Sequence, residues 1–119
     1  MLNFLWMQAI YVGNCKEGMK HGQGKYTWPN GEVYIGEWQN DHREGQGLHT
    51  WPSGASYAGQ FKNDKRHGKG KITWDEHHYY DGDWHEDERS GNGIFQWPDG
   101  ERYEGQFKAG GWPITPFDR

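Results

Sequence analysis

At 119 residues and a net charge of −4, the chain is one domain's worth of sequence and carries no global basic field for nucleic acid or anionic lipid. Only 32% of residues are apolar, yet 17% are aromatic, with 8 Trp and 19 Gly. Disordered chains are poor in aromatic residues, so the expectation is an ordered but thin fold whose apolar surface sits in large rings at fixed positions. Cys15 is the single cysteine, which excludes an intrachain disulfide framework. No run approaches the length of a membrane span.

In chain order, residues 1–10 form an apolar segment before the repeats. Met1–Met7 lacks the basic region and the length of a secretory signal, so a soluble, cytoplasmic protein is the default expectation. Phe4, Leu5 and Trp6 are expected to pack over the end of a sheet rather than add a strand to it.

From Tyr11 the chain copies itself. Tyr11, Tyr34, Tyr57, Tyr80 and Tyr103 recur every 23 residues without insertion or deletion. In the first unit, Cys15 stands where later units have Trp38, Phe61, Trp84 and Phe107; it is expected to be a small buried side chain on the ring face. The second unit reads Tyr34-Ile35-Gly36-Glu37-Trp38, a polar connector, then Gly45-Gln46-Gly47-Leu48-His49-Thr50-Trp51-Pro52-Ser53-Gly54. The third and fourth units follow it closely. The fifth begins with Tyr103-Glu104-Gly105-Gln106-Phe107 and then gives way to a tail, 109–119, whose two prolines forbid a regular central strand. The repeat array is therefore 11–108.

Each unit holds two segments with period-two alternation. Tyr34, Gly36 and Trp38 share one face, and Gly47, His49 and Trp51 share a face in the second segment. A polar turn joins the two, and Pro-x-Gly joins one unit to the next. Each unit reads as a β-hairpin, and the array as an all-β, single-layer antiparallel meander of about nine short strands, on the order of 40 Å long. A lone hairpin is marginal in water, so each unit depends on the ones beside it. Glycines between the rings leave space for rings to lie over the backbone, and Gly59→Val is expected to overpack.

The pattern Tyr-x-Gly-x-Trp/Phe, Gly-x-Gly, then an aromatic and Pro-x-Gly resembles the MORN repeat; Tyr57-Ala58-Gly59-Gln60-Phe61-Lys62-Asn63-Asp64 through Gly70 is close to its usual form. The resemblance covers about four and a half units and implies an elongated, twisted sheet of stacked hairpins. It also implies roles in protein interaction, in cytoskeletal or ciliary assembly, and in membrane association through phospholipids. Choline-binding repeats, with Gly-Trp followed by Trp-Tyr-Tyr, do not fit. Three departures stand out. Asp41, Asp64 and Asp87 replace a turn glycine, which aspartate tolerates better than most residues. Cys15 replaces a ring, and Asp75-Glu76-His77-His78 replaces Pro-x-Gly, so that connection is expected to be irregular.

No constellation points to catalysis. His77, His78 and His85 lie near Asp75, Glu76, Asp81 and Asp83, all metal-ligand types. Adjacent strand residues point to opposite faces, so solvated turn and edge residues are the expectation and no metal is assigned. The Gly-x-Gly pairs lie inside hairpins with no following helix, and no phosphate-cradling loop or nucleophile motif is present. A non-enzymatic protein with no cofactor is expected. Lys62, Lys65, Arg66, Lys69 and Lys71 form a basic cluster that could meet lipid phosphates, balanced by an acidic fourth unit in which Glu88 is expected near Lys65. The incomplete fifth unit makes Tyr103, Phe107, Trp112 and Phe117 the candidate contact for a protein partner or a second copy. An interaction or scaffold module, cytoskeletal or ciliary in setting, is the leading expectation; a phospholipid-binding, membrane-peripheral module is the alternative.

Overall fold

The computed structural model describes residues 8–108 and 112–113. They form one antiparallel sheet in strict sequence order: β1 (Ile10–Lys16), β2 (Met19–Thr27), β3 (Val33–Gln39), β4 (His42–Thr50), β5 (Ser56–Lys62), β6 (Lys65–Asp75), β7 (His78–His85), β8 (Glu88–Gln96), β9 (Arg102–Lys108) and the two-residue β10 (Trp112–Pro113). No helix occurs among the described residues. The molecule is an open, one-layer meander with extents of 49 × 37 × 19 Å.

Register explains how one layer makes a core. One glycine from each of β1 to β9 lies opposite the next, giving a row that crosses the sheet from Gly13 through Gly47 and Gly59 to Gly105. The tyrosines lie over this row. A Cβ at Gly47 would fall 2.5 Å from Cζ of Tyr34, so only glycine lets the ring settle on the backbone. Each phenol then donates to the carbonyl three residues on, as Tyr34 does to Glu37 (2.9 Å) and Tyr57 to Gln60 (2.8 Å). Tyr34, Tyr57 and Tyr80 are fully buried. Each meets two rings edge-on: Tyr34 packs against Trp38 and Phe61, both at 5.1 Å, and Tyr57 against Phe61 and Trp84 at 5.1 and 5.4 Å. Such edge-to-face pairs contribute about 0.5–1.5 kcal/mol beyond area burial. The opposite face mixes polar residues with the exposed Ile10, Val12, Ile35 and Leu48.

The first glycine of each Gly-x-Gly has a different task. Gly45 and Gly68 adopt φ of 65° and 83° at β-bulges, a conformation that costs glycine nothing. The side chain three residues after each tyrosine caps the donor next to the bulge: Glu37 accepts from the Gln46 N–H (2.8 Å) and Gln60 from the Lys69 N–H (2.8 Å).

Hairpin tips use two consecutive left-handed residues, for example Asn40–Asp41 and Asn63–Asp64, with Asp41, Asp64 and Asp87 at φ of 69–70°. Such tips match the twist of antiparallel strands. At the other end, the Pro-x-Gly loops close by bonds such as Gly54 N–H to the Trp51 carbonyl (2.9 Å). Asp75–His78 departs from this plan: a tight turn follows a bulge between Thr73 and Asp75, and Asp75 accepts from the His77 N–H (2.9 Å).

Cys15 is exposed, contrary to the burial expected from its ring phase. Trp38, in the same phase, is closed by its own Tyr34 and by Tyr11 of the preceding unit. Among the described residues no repeat unit stands before Cys15 to close it in the same way.

Candidate functional site

The ring face carries a second row that the tyrosines do not explain. Lys20, Arg43, Arg66 and Arg89 recur every 23 residues and lie over the aromatic rings. The Lys20 ammonium is 5.1 Å from the Tyr26 ring, and the guanidinium groups of Arg43, Arg66 and Arg89 are 5.1 Å from Phe61, 4.6 Å from Trp84 and 4.9 Å from Phe95. These are cation–π distances, and the long side chains cover rings that a one-layer sheet would otherwise expose.

Three of the four are held by the aspartate of the next hairpin tip. Asp64 accepts from the Arg43 N–H (2.9 Å) and Nε–H (3.1 Å), while its own N–H donates to the Arg43 carbonyl (3.1 Å). Asp87 does the same for Arg66 at 2.9, 3.0 and 2.9 Å. Asp41 accepts from the Lys20 N–H (2.8 Å) and pairs with its ammonium (3.2 Å). Burial raises the carboxyl pKa values of Asp64 and Asp87, but bonds from the Arg43 and Arg66 main chain and guanidinium, together with His42 at Asp64, outweigh it and hold both below the ordinary value.

His49 is the one buried polar side chain in this face among the described residues. It lies between Trp28 and Trp51, at ring-centroid distances of 5.1 and 4.6 Å. Nδ1 is 3.2 Å from Arg43 Nη1 and Nε2 is 2.8 Å from Glu32 Oε1. A guanidinium only donates, so Nδ1 accepts and Nε2–H donates to the carboxylate. That assigns a neutral ring. Burial pulls the His49 pKa below its ordinary value against the opposing pull of Glu32, and the bond from His49 in turn lowers Glu32.

Between the cations and a row of half-exposed tryptophans lie shallow hollows. One, of about 170 Å3, is bounded by Arg43, His49, Trp51 and Arg66. The next, of about 220 Å3, is bounded by Arg66, Trp74, Trp84 and Arg89. Trp74 is 36% exposed and stacks on His78 at 4.3 Å.

A family model described as "MORN repeat" matches residues 11–33, 34–56, 57–78 and 80–102. The chain belongs to the MORN-repeat family. No curated protein sequence matches it at a significant level. MORN repeats are a module for protein or membrane interaction, and the match accounts for the hairpin meander. No helix among the described residues is long and apolar enough to cross a membrane.

Within these MORN units the candidates named from sequence are dispersed. Phe107 is 3% exposed, closed by Tyr80 at 4.9 Å and Tyr103 at 5.3 Å. It is a core ring, because the fourth unit covers it. Tyr103 is half-buried against Phe107, its hydroxyl bonded to the Gln106 carbonyl. The Trp112 backbone pairs with Lys108; its side chain and Phe117 lie outside the described residues. The basic cluster divides by strand alternation. Arg66 is on the ring face, whereas Lys62, Lys65, Lys69 and Lys71 are on the opposite face. Of these, Lys69 pairs with Asp83 and Lys71 lies 4.4 Å over the Tyr79 ring. Lys62 and Lys65 stand exposed across a hairpin tip, beside His67 and His85. The cross-unit ion pair falls one position from the expected Lys65–Glu88, at Arg66–Asp87.

The three histidines also separate. His78 stacks on Trp74, His77 meets Glu76 at 3.2 Å, and His85 lies 5.0 Å from the His67 ring. Lys20, Arg43, His49 and Arg89 were not among the residues singled out from sequence. The 23-residue recurrence of the cations was visible, but the pairing of Lys20, Arg43 and Arg66 with an aspartate 21 residues on exists only once hairpins stack.

Proposed function

We propose that this chain is a non-enzymatic protein-interaction module that holds an extended polypeptide along its ring face. One observation carries the reading: Trp51 and Trp74 stand half-exposed beside the arginine row, over hollows that no second layer covers among the described residues. Aromatic and arginine side chains on a rigid surface are the groups that dominate protein interfaces, and here stacked hairpins fix them in place. A scaffold role in a cytoskeletal or ciliary assembly is the setting the family resemblance implies.

Selection from a displayed peptide library tests this. Ligands selected on the parent protein should lose binding to Trp51→Ala and Trp74→Ala variants that keep the parent's circular dichroism spectrum. Ligands indifferent to both substitutions would place recognition elsewhere.

The exposed Lys62 and Lys65 favour a second reading, contact with anionic phospholipid. Salt-sensitive flotation on phosphatidylserine vesicles, lost in Lys62→Glu/Lys65→Glu, would support it; no flotation of the parent protein would remove it.

A further inference from the structure

The two hollows on the ring face are one site repeated. Arg43, Trp51, Phe61 and Arg66 around the first correspond, 23 residues on, to Arg66, Trp74, Trp84 and Arg89 around the second. One unit is two strands, so the hollows lie two strand spacings apart, about 9.6 Å. An occupant that spans both must present the same face at that interval. A β-strand repeats a face about every 6.7 Å. An α-helix turns every ~5.4 Å, so two turns overshoot by about 1 Å at each step. A polyproline II helix repeats every three residues, about 9.3 Å, and matches.

Hydrogen bonding and charge select the same occupant. The indole N–H groups of Trp38 and Trp84 donate to the Gly24 and Gly70 carbonyls at 3.2 and 3.0 Å, whereas those of Trp51 and Trp74 have no acceptor among the described residues. A polyproline II backbone makes no internal hydrogen bonds, which leaves its carbonyls to accept, and proline brings no N–H that the rings would leave unpaired. In the first hollow no charged group lacks a partner: Arg43 and Arg66 are paired with Asp64 and Asp87, and Glu32 accepts from His49. An uncharged segment therefore loses nothing by lying there.

We infer that the ring face takes an uncharged, proline-rich segment of a partner protein, laid across the strands as a polyproline II helix. Prolines three residues apart sit in successive hollows beside Trp51 and Trp74, whose indole N–H groups donate to the segment's carbonyls. The inference rests on the ring face being a protein-binding surface and names what that surface binds. Such a helix is ordered before it binds, so little conformational entropy is lost on docking. The chain's own ends are poor occupants. Residues 1–10 contain no proline, and Pro113, which precedes Pro116 by three residues, is held at the sheet edge opposite Phe107.

The probes are two blocked nonapeptides of equal composition, with alanine outside the prolines. One carries proline at positions 1, 4 and 7, the other at positions 1, 3 and 8, where no two share a three-residue phase. Titrated into the full chain, the first should move the indole N–H resonances of Trp51 and Trp74 saturably and leave those of Trp38 and Trp84 in place. The second should bind at least about tenfold more weakly, because a pyrrolidine ring then stays in water. Trp51→Phe keeps a ring and loses the donor, and should weaken the first peptide about fivefold, the worth of one hydrogen bond. Equal binding of the two peptides, or no saturable shift, overturns the inference. Binding that appears only when residues 114–119 are deleted also overturns it, since the chain's own tail would then fill the hollows. The peptide comparison uses the parent protein alone, so it stands whatever Trp51→Phe does to folding. Library ligands that need Trp51 and Trp74 but lack the three-residue proline spacing would leave the ring face a protein-binding surface and overturn this occupant alone.

Discussion

Replacing Gly70 by alanine should destabilise the sheet through one named ring. A Cβ at Gly70 would lie 2.5 Å from Cε1 of Tyr57, with Cζ and the hydroxyl closer still, whereas carbon atoms in contact stay about 3.5–4.0 Å apart. The ring must lift by about 1 Å. It has nowhere to go, because Tyr57 is fully buried and held edge-on by Phe61 and Trp84. Overpacking of this kind costs about 1–3 kcal/mol. Loss of the Tyr57 bond to the Gln60 carbonyl costs about 1 kcal/mol more. Replacing a strand glycine by alanine returns about 0.5–1 kcal/mol. The balance, about 2 kcal/mol, is a fall in Tm of roughly 10 °C for a chain of this length. Thermal and urea unfolding of a double-mutant cycle would check it. In a Tyr57→Ala background Gly70→Ala should become neutral or slightly stabilising. An equal loss in both backgrounds would refute the argument that the ring is the cause. Gly59→Val is the contrasting case: its Cβ would meet the Lys69 carbonyl oxygen at 2.6 Å, a backbone clash that removing Tyr57 would not relieve.

Asp64→Asn should lower stability by about 1–2 kcal/mol, discounted for the exposure of the carboxylate, because it loses the charged staple to Arg43. Since the Asp64 pKa is depressed on folding, its contribution is present above the unfolded-state value and is lost as pH falls through the folded one; the variant should show a flatter acid limb in Tm against pH. His49 acts at milder pH. Its pKa is lowered on folding, so stability should decline as pH drops below the ordinary histidine range and level off below the folded value. His49→Phe, which copies Phe95 in the fourth unit, should remove that decline, and an unchanged Tm–pH profile would contradict the neutral-ring assignment. Burial pushes the Tyr80 phenol up to about 12 and Tyr34 and Tyr57 higher. Ultraviolet absorbance titration should therefore show a late-ionising group of tyrosines; uniform ionisation near the ordinary value would contradict their burial.

The 23-residue recurrence of Tyr11 through Tyr103 by itself determined the four complete hairpins and their antiparallel order, because alternation and turn chemistry are local; the short β10 that pairs with β9 was not foreseen. It also determined that glycines must lie near the rings, and that Asp41, Asp64 and Asp87 could occupy a left-handed turn. What pairs across units was decided only by the stacking register. Arg43 and Asp64 are 21 residues apart yet share hydrogen bonds, whereas Arg66 and Lys65 are neighbours in sequence and face opposite sides of the sheet. The ends depended on tertiary structure in the same way. Phe107 is buried because the fourth unit's Tyr80 covers it, and Cys15 is exposed, with no unit before it among the described residues. In a single-layer sheet, burial belongs to the neighbouring unit more than to the residue.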